Sequence, residues 1–381
     1  MQAAIRQIRF LFARALWAGL AAGALGAPGW VAAQMVSVTP LVSDDPIAHP
    51  AQIGDAGLLN AWGMSYSPSS PFWVSSNGAG TSTLYSVDPI TQVTVKQALT
   101  VTIPGAGSVT GQLFNSKAGT GAFNGDLFLF VSEDGTVSGW RGALGTAAET
   151  LVSASNANVY KGVTFATTAG GNYLYAANFR SGAIDVSKGS ATDTNLTGTF
   201  IDPTLPSGFA PFNIQNLGGT LYVTYAQQDA AKSDEVAGAG LGFVDSFDLQ
   251  GNFIARVAGG GALDAPWGLA IAPSSFGALA GALLVGNFGD GHVSAYDPTT
   301  HAFLGQLLGT DGQPLAIDGL WAIAPGNDGK GGSSTRLYFT AGPDDEKHGL
   351  FGVLTTVPEP SIAWLLFAGL AAIGLRGRRR N

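Results

Sequence analysis

Six short apolar stretches, each ending in a polar turn, recur along the chain. They are FWVSSNGAG (72–80), LFLFVSEDG (127–135), YLYAANFRSG (173–182), LYVTYAQQ (221–228), LLVGNFGDG (283–291) and LYFTAGPDD (337–345). Apolar residues bounded by Gly, Asn and Asp, with a period of two, are typical of β-strands that end in tight turns. The pattern therefore predicts six equivalent strands.

A second motif precedes each of these strands. A small or aromatic residue, then Gly or Asn, then apolar residues occur at 61–64, 109–112, 160–163, 211–214, 266–269 and, with the glycine shifted by one place, 318–321. Successive motifs lie 48 to 55 residues apart. Self-similarity at such a period indicates a repeat architecture in which each repeat is one supersecondary unit. Two further alternating stretches follow in each repeat, so we expect four strands per repeat.

Six units of four strands predict an all-β fold, a six-bladed β-propeller with four-stranded blades over residues 58–355. A β-sandwich is the alternative, but it does not repeat one motif six times. The 55 glycines also argue against helices, because glycine costs about 1 kcal/mol per helical position relative to alanine. Residues 34–57 are predicted to be a linker or a closing strand. The motif glycines would let neighbouring backbones approach closely at the central channel.

Three tryptophans lie in the predicted channel-lining strands. Trp62, Trp267 and Trp321 lie within three of the repeated motifs and would wedge between blades at the channel rim. Packing of blade against blade is the main interpretation of these aromatic residues. Stacking on a carbohydrate is the alternative.

Polar residues are predicted to converge on one face of the propeller. The loop before the inner strand and the loop between strands two and three open on the same face, and together they carry Asn60, Asn77, Glu133, Asn178, Asp264, Asn287, Asp318 and His348. A ring of Asn, Asp and Glu oxygens is the environment that Ca²⁺ prefers. The competing interpretation is that Asn and Asp are ordinary turn residues, since they tolerate left-handed backbone. These eight residues, which we call the axial mouth, are therefore a candidate ligand or calcium site.

Other catalytic signals are weak. A three-histidine zinc site would require His49 or His301 to reach the axis, and no Gly-x-Ser-x-Gly motif occurs. The densest ionisable cluster is Asp344-Asp345-Glu346, beside Lys347 and His348, and it is a second functional candidate. These residues leave open whether the protein is an enzyme.

The two termini have the patterns of targeting signals. Arg6, Arg9 and Arg14 precede an apolar stretch (15–25), and Ala33 is the predicted cleavage site of a signal peptide covering residues 1–33. At the other end, Pro358-Glu359-Pro360 is followed by an apolar run (362–375) and then by four arginines. A charge cluster after a hydrophobic helix resists passage through a bilayer. Residues 356–381 are therefore predicted to form a sorting segment with a transmembrane helix.

Charge and cysteine content narrow the function. The net charge is −8, and the body is more acidic still, because three arginines precede Ala33 and four follow Leu375. Nucleic-acid binding needs clustered Lys and Arg, so it is not expected. The absence of cysteine excludes disulfides, thiol catalysis and cysteine-ligated metals. The core must then come from hydrophobic packing.

Two resemblances follow from these motifs. The tail resembles the PEP-CTERM sorting signal of exopolysaccharide-producing Gram-negative bacteria, which implies cleavage near the Pro-Glu-Pro by an exosortase-type membrane protease. The stretches LLNAWGMSYSP, NFGDGHVSAYDP, LDAPWGLAIAP and LYFTAGPDDEKHGLFG resemble an uncharacterised family of bacterial propellers, more distantly similar to NHL-type and lactonase-type propellers. That resemblance implies a fold and an address, but it supplies no catalytic residues.

Two main hypotheses for function remain. The first is an exported, exosortase-sorted propeller that binds a polysaccharide or an envelope protein, or serves as a scaffold, at the cell envelope or in the extracellular matrix. The alternative is a metal-dependent hydrolase or lactonase, of calcium type, with its site at the axial mouth. Either protein would meet signal peptidase and the processing protease. It would be anchored transiently through its C-terminal helix and would then be periplasmic, at the cell surface or extracellular.

Overall fold

The computed structural model describes residues 34–357. In this range the strands form six separate sheets. The chain starts with two strands that belong to the last sheet, β1 (Val36–Ser43) and β2 (Ile53–Gly54). The first three blades follow in order, with β3 (Ala61–Ser65), β4 (Phe72–Ser76), β5 (Thr81–Val87), β6 (Thr94–Thr102); β7 (Val109–Phe114), β8 (Phe128–Ser132), β9 (Val137–Trp140), β10 (Glu149–Val152); and β11 (Tyr160–Thr168), β12 (Gly171–Asn178), β13 (Ala183–Lys188).

Blades four to six repeat the same up-and-down order. Their strands are β14 (Phe209–Leu217), β15 (Thr220–Gln228), β16 (Glu235–Val236), β17 (Gly242–Phe247), β18 (Phe253–Gly259); β19 (Pro266–Ile271), β20 (Leu283–Asn287), β21 (Val293–Tyr296), β22 (Phe303–Gln306); and β23 (Leu320–Pro325), β24 (Leu337–Ala341), β25 (Leu350–Thr356). Helical structure in residues 34–357 is limited to short 3-10 turns at Asn77–Ala79, Ala118–Thr120, Ala122–Gly125, Gly142–Leu144 and Gly277–Leu279 and to one helical turn, α1 (Pro343–Glu346). Successive strands within a blade pair antiparallel, as β14 pairs with β15 and β15 with β17.

The six sheets close into a ring. Each innermost strand contacts the innermost strand of the next blade, in the order β3, β7, β11, β14, β19 and β23, and β23 returns to contact β3. The all-β propeller with six blades, predicted from the repeat, is therefore confirmed. The sandwich alternative is wrong, because two stacked sheets would not give this cyclic set of contacts.

The third blade departs from the four-strand pattern. It has the three strands β11, β12 and β13, and residues 189–208 follow as an irregular connection. Pro203 and Pro206 lie in this connection, and proline has no backbone N–H to donate to a strand ladder. Phe200 packs against Tyr175 of the third blade and Phe247 of the fourth, so the connection contributes to the core between these two blades.

The N-terminal segment completes the last blade. β1 pairs antiparallel with β25 from Val36 opposite Thr356 to Ser43 opposite Leu350, and β2 pairs with β1. The sixth sheet thus contains strands from both ends of the described chain, in the order β2-β1-β25-β24-β23. Because the first and last strands share one sheet, the hydrogen bonds of this pairing hold the ring closed.

Glycines in the inner strands set the spacing between blades. A Cβ on Gly63 would overlap the Thr110 carbonyl oxygen of the next blade, and a Cβ on Gly111 would lie 2.9 Å from the Val163 nitrogen. Such close approach of backbones is the role expected from the repeated motif. The apolar core lies mainly between neighbouring blades, where Leu284 of the fifth blade and Phe339 of the sixth belong to one buried cluster.

The two terminal segments that are predicted to direct export and sorting flank the described range. The signal peptide with its cleavage after Ala33, the Pro358-Glu359-Pro360 motif and the C-terminal helix lie outside the described residues. Within residues 34–357, no helix has the length and apolar character needed to cross a membrane.

Candidate functional site

A buried lysine lies at the face where the inner strands begin. Lys161, at the start of β11, is only 1% exposed, and its Nζ lies 2.6 Å from Glu133 Oε1 and 3.1 Å from Asp234 Oδ1. Burial by itself lowers the pKa of a lysine, but the Glu133, Glu235 and Asp234 carboxylates more than offset it and hold the pKa of Lys161 above its ordinary value. Lys161 is therefore a fixed positive charge inside an acidic ring.

The acids of this ring come from three different blades. Glu133 lies in the second blade, Asp234 and Glu235 in the β15–β17 connection of the fourth, and Glu346 in the β24–β25 connection of the sixth. Burial raises the pKa of Glu235 to about 7, although Lys161 acts in the opposite direction. Burial also raises the pKa of Glu346, again against Lys161. The ring thus surrounds one buried ammonium group and includes two carboxyl groups, Glu235 and Glu346, whose pKa values are raised by burial.

Two asparagines connect the ring to the first blade. Asn60 Nδ2 donates to Glu346 Oε2 at 2.5 Å and to Asn77 Oδ1 at 3.4 Å, and Asn77 Nδ2 donates to Glu133 Oε2 at 3.2 Å. Asn60 has a φ of 47°, in the left-handed region that asparagine tolerates better than most residues. Asn60, Asn77 and Glu133, three of the residues named from the sequence, therefore form one hydrogen-bonded chain.

Aromatic side chains close the channel beneath this ring. Trp62 and Trp321 stack with ring centroids 3.6 Å apart, and Phe288 stacks on Trp321 at 4.1 Å. Trp267 meets Trp321 edge-on at 5.9 Å, and Trp321 Nε1 donates to Asn60 Oδ1 at 2.9 Å. Lys161 Nζ lies 5.1 Å from the Trp62 ring centroid, within cation–π range. The three tryptophans are buried against one another and against neighbouring blades.

The other predicted mouth residues lie in separate local networks. Asn178 bonds Asn158 and Asp185, Asn287 bonds the Ala262 carbonyl and Asp290, and Asp264 accepts from the Gly238 nitrogen. Burial raises the pKa of Asp264. Asp318 and His348 belong to the surroundings of α1, where Asp318 accepts from the Asp344 nitrogen and His348 pairs with Asp44. The structure thus divides the sequence-derived ring into one central chain and several peripheral turns.

Calcium at the axial mouth stays a prediction. Lys161 Nζ lies among oxygens that the sequence pattern suggested as calcium ligands. The ammonium group would repel a calcium ion bound to the same oxygens. The carboxylates of this ring therefore have an internal counter-ion. The calcium-type hydrolase depends on that ion, so it stays a prediction as well.

A cavity opens at the other end of the axis. It has a volume of about 470 Å³, and all six blades contribute to its wall. Its lining combines apolar residues such as Met64, Leu269 and Ile323 with the polar Ser65 and Gln215. Ser65 Oγ is buried and has no hydrogen-bond partner within residues 34–357. A cavity of this volume lies within the range of about 300–1,000 Å³ typical of small-molecule sites.

Sequence reasoning missed several residues of both sites. Lys161 was visible only as a member of the third motif, and Asp234 and Glu235 lie in a glycine-containing loop without regular periodicity. The signal that could have found Lys161 is a charged residue at a position where four of the other five motifs have Trp, Thr or Phe. No comparable signal marks Gln215, which follows the fourth motif directly.

Curated relatives share most of this fold region. The chain is 31% identical over 318 residues to the uncharacterized protein R648 of Acanthamoeba polyphaga mimivirus, covering 78% of this chain and 75% of the relative. It is 30% identical over 319 residues to the uncharacterized protein L690 of the same virus, covering 79% and 81%. The chain belongs to this family. The predicted membership of an uncharacterised propeller family is thereby confirmed.

The C-terminal segment has its own match. Residues 356–380 match the PEP-CTERM protein-sorting motif, as the tail resemblance predicted. The motif implies export, processing by an exosortase-type protease, and a surface or extracellular location. This family member therefore combines a propeller with a C-terminal sorting motif.

A solved structure has the same architecture. An auxiliary nutrient binding protein from Bacteroides ovatus superposes with a TM-score of 0.52 at 13% identity, over 85% of this chain and 78% of that protein. At this identity the similarity concerns the fold alone.

Proposed function

We propose that the protein is an exported, non-catalytic binding protein of the cell envelope or extracellular matrix. Its ligand is a polar molecule or chain end, with polysaccharide as the favoured class, and it binds in the axial cavity. The observation that carries this proposal is the cavity of about 470 Å³, whose wall combines apolar residues with polar groups such as the Gln215 amide.

The chemistry of the cavity wall fits a sugar better than a wholly apolar ligand. Gln215 provides an amide with both donor and acceptor atoms in this wall, while Leu269 and Ile323 supply apolar contact. Sugars present hydroxyls around an apolar ring face and need both kinds of contact. The structurally similar Bacteroides ovatus protein is a nutrient binding protein, which supports a binding role for this architecture.

Ligand binding can be tested on purified protein with a glycan array followed by calorimetric titration of the glycans that score. We expect Gln215→Ala to weaken binding about tenfold and Ala324→Phe, which fills the cavity, to abolish it. Gln313→Ala, in an exposed loop remote from the cavity, is the matched control and should bind like the wild type. A blank array would refute a glycan as the ligand, and equal binding by all three variants would refute the cavity as the ligand site.

The proposed function also requires that the chain be cleaved at both ends to give the mature protein. Signal peptidase would cut after Ala33, and the processing protease would release the body near Pro358-Glu359-Pro360, leaving the C-terminal helix behind. Replacing these three residues with alanine should retain the protein in membrane fractions of its host. A chain that ends at Val357 is the control and should be recovered in soluble form. Unchanged release of the alanine variant would contradict processing at this motif.

A further inference from the structure

Two histidines and an aspartate converge where the N-terminal segment meets the last blade. His49 Nε2 lies 2.9 Å from Asp344 Oδ2, and the rings of His49 and His348 have centroids 5.2 Å apart. One metal-binding atom from each of His49, Asp344 and His348 lies within 4.8 Å of the other two. Ligand atoms around tetrahedral zinc lie about 3.3 Å apart, given bonds of about 2.0–2.1 Å. Small side-chain rotations would therefore complete a three-ligand set.

Neighbouring carboxylates hold these ligands in place. Asp44 Oδ2 lies 2.8 Å from His348 Nδ1, and Asp44 Oδ1 accepts from the Gly349 nitrogen at 2.9 Å. A carboxylate on one ring nitrogen orients the imidazole and leaves the other nitrogen, Nε2, for a metal. Asp318 Oδ2 accepts from the Asp344 nitrogen at 2.9 Å and fixes that residue in the same way.

The loop that carries His49 is also ordered by an aspartate. Asp45 Oδ1 accepts from the backbone nitrogens of Ile47 and Ala48, and the His49 nitrogen donates to the Asp45 carbonyl at 2.8 Å. These bonds form a tight turn immediately before His49. The histidine is thus presented from a defined backbone and not from a free terminus.

Backbone strain marks the opposite side of the cluster. Asp344, Asp345 and Glu346 have φ values of 57°, 55° and 64°, so three consecutive non-glycine residues adopt left-handed conformation. Left-handed backbone is unfavourable for non-glycine residues, and strain of this kind concentrates at ligand clamps and functional sites. The left-handed turn directs Asp344 to His49 and Glu346 to Asn60.

We propose that His49, Asp344 and His348 form a binding site for a divalent transition metal of the zinc class, which clips the N-terminal closing segment to the last blade. Two imidazoles and one carboxylate are a donor set that zinc accepts, whereas calcium prefers oxygen ligands alone. Three protein ligands leave the fourth position to water or to an exogenous group. The site is independent of the proposed cavity ligand.

The bound metal would stabilise the closed ring. His49 follows β1 in sequence, and Asp344 and His348 lie between β24 and β25, so the ligands join the two ends of the ring in one sheet. Metal bound to the folded state alone stabilises it by mass action. At a zinc concentration about 100-fold above Kd, we expect Tm to rise by roughly 5 °C.

The experiment is a zinc titration of the purified, EDTA-dialysed protein by calorimetry, with thermal unfolding in zinc and in calcium. We expect one zinc per chain for the wild type and a loss of affinity of at least about tenfold in His49→Gln, Asp344→Asn and His348→Ala. His292→Ala is the matched control, because His292 pairs with Asp290 but has no third ligand beside it within residues 34–357. It should bind zinc like the wild type.

Two results would overturn the proposal. One is wild-type zinc binding no tighter than that of the ligand variants, and the other is a calcium-induced rise in Tm that equals the zinc-induced rise. Cobalt substitution gives a second measurement should a variant lose stability, since a low-symmetry site with histidine ligands gives intense visible absorption absent from hexa-aquo cobalt. A wild-type spectrum identical to that of free cobalt would refute the site directly. Ala324→Phe should leave zinc binding unchanged, which separates this site from the cavity.

Discussion

Lys161 Nζ lies 2.6 Å from Glu133 Oε1, a contact that joins the third blade to the second at the face where the inner strands begin. The lysine is almost fully buried, and Glu133 also bonds Asn77 of the first blade. One ammonium group therefore stabilises side chains from several blades at once. A single buried charge at this point couples parts of the ring that the backbone hydrogen bonds of each sheet do not connect.

Removing this charge should destabilise the protein. In Lys161→Met the partly buried carboxylates of Glu133 and Glu235 lose their counter-ion, and breaking a buried pair by deleting one partner costs about 3–5 kcal/mol. Urea unfolding followed by tryptophan fluorescence measures the change. Lys188→Met, at an exposed position on β13, is the control and should change stability by less than about 0.5 kcal/mol. Equal effects of both variants would mean that Lys161 is not paired in solution.

The same variant tests the calcium prediction. With the ammonium removed, the oxygens of the mouth are free to bind a hard cation. Calcium should then restore part of the lost stability of Lys161→Met and leave the wild type unchanged if the lysine and the ion compete for one position. No effect on either protein would argue against calcium at the mouth.

Glu235 should make stability depend on pH. Its pKa is about 7 in the folded protein and about 4.5 when unfolded, so between these values the folded state binds more protons. The free energy of unfolding contributed by this residue therefore falls as pH rises from 4.5 to 7. The stability of Glu235→Gln relative to the wild type should increase over that interval by about 1–3 kcal/mol.

Asp88 provides the control for this pH dependence. Its hydrogen bonds from Thr91 and Ile90 lower its pKa, so it is ionised in both folded and unfolded states above pH 5. The difference between Asp88→Asn and the wild type should therefore stay constant from pH 5 to 7.5. Denaturant titrations at four pH values compare the two variants, and parallel curves for both would contradict the raised pKa of Glu235.

Ring closure should depend on the buried face of β1. Leu41 is 0% exposed and packs in the cluster that contains Phe351, whereas Val38 on the same strand is 39% exposed. Leu41→Ala should lower the free energy of unfolding by about 2–5 kcal/mol, because it leaves a cavity in a packed core. Val38→Ala should change it by less than about 1 kcal/mol. Similar losses for the two would show that β1 contributes through its backbone alone.

The close approach of inner strands should make Gly111 intolerant of any side chain. A methyl group there would meet the Val163 nitrogen at 2.9 Å and the Gly162 Cα at 3.0 Å. Gly111→Ala should cost about 1–3 kcal/mol through displacement of the third blade. Gly142→Ala is the control, since a Cβ at Gly142 meets nothing within 4 Å. Thermal unfolding distinguishes them, and equal Tm values would mean that the ring absorbs the methyl group freely.

The sequence by itself determined the blade count, the strand order and the sorting motif. Repeated motifs at near-constant spacing carry this information locally, because each blade is built from neighbours in sequence. Gly63 and Gly111 could be assigned their role from the motif alone, since only a glycine fits where two backbones meet. The departure of the third blade was not evident, because residues 189–208 still alternate in part.

Only the tertiary structure decided which polar residues meet. Asn60, Asn77 and Glu133 belong to one network with Lys161, while Asn178 and Asn287 occupy equivalent loops yet bond within their own blades. Likewise, His49 and His348 are about 300 residues apart in sequence and meet because β1 joins the sheet of β25. Side-chain convergence depends on the angle at which each blade meets the axis and on where the ring closes. These are properties of the whole assembly of sheets, which no local pattern of residues records.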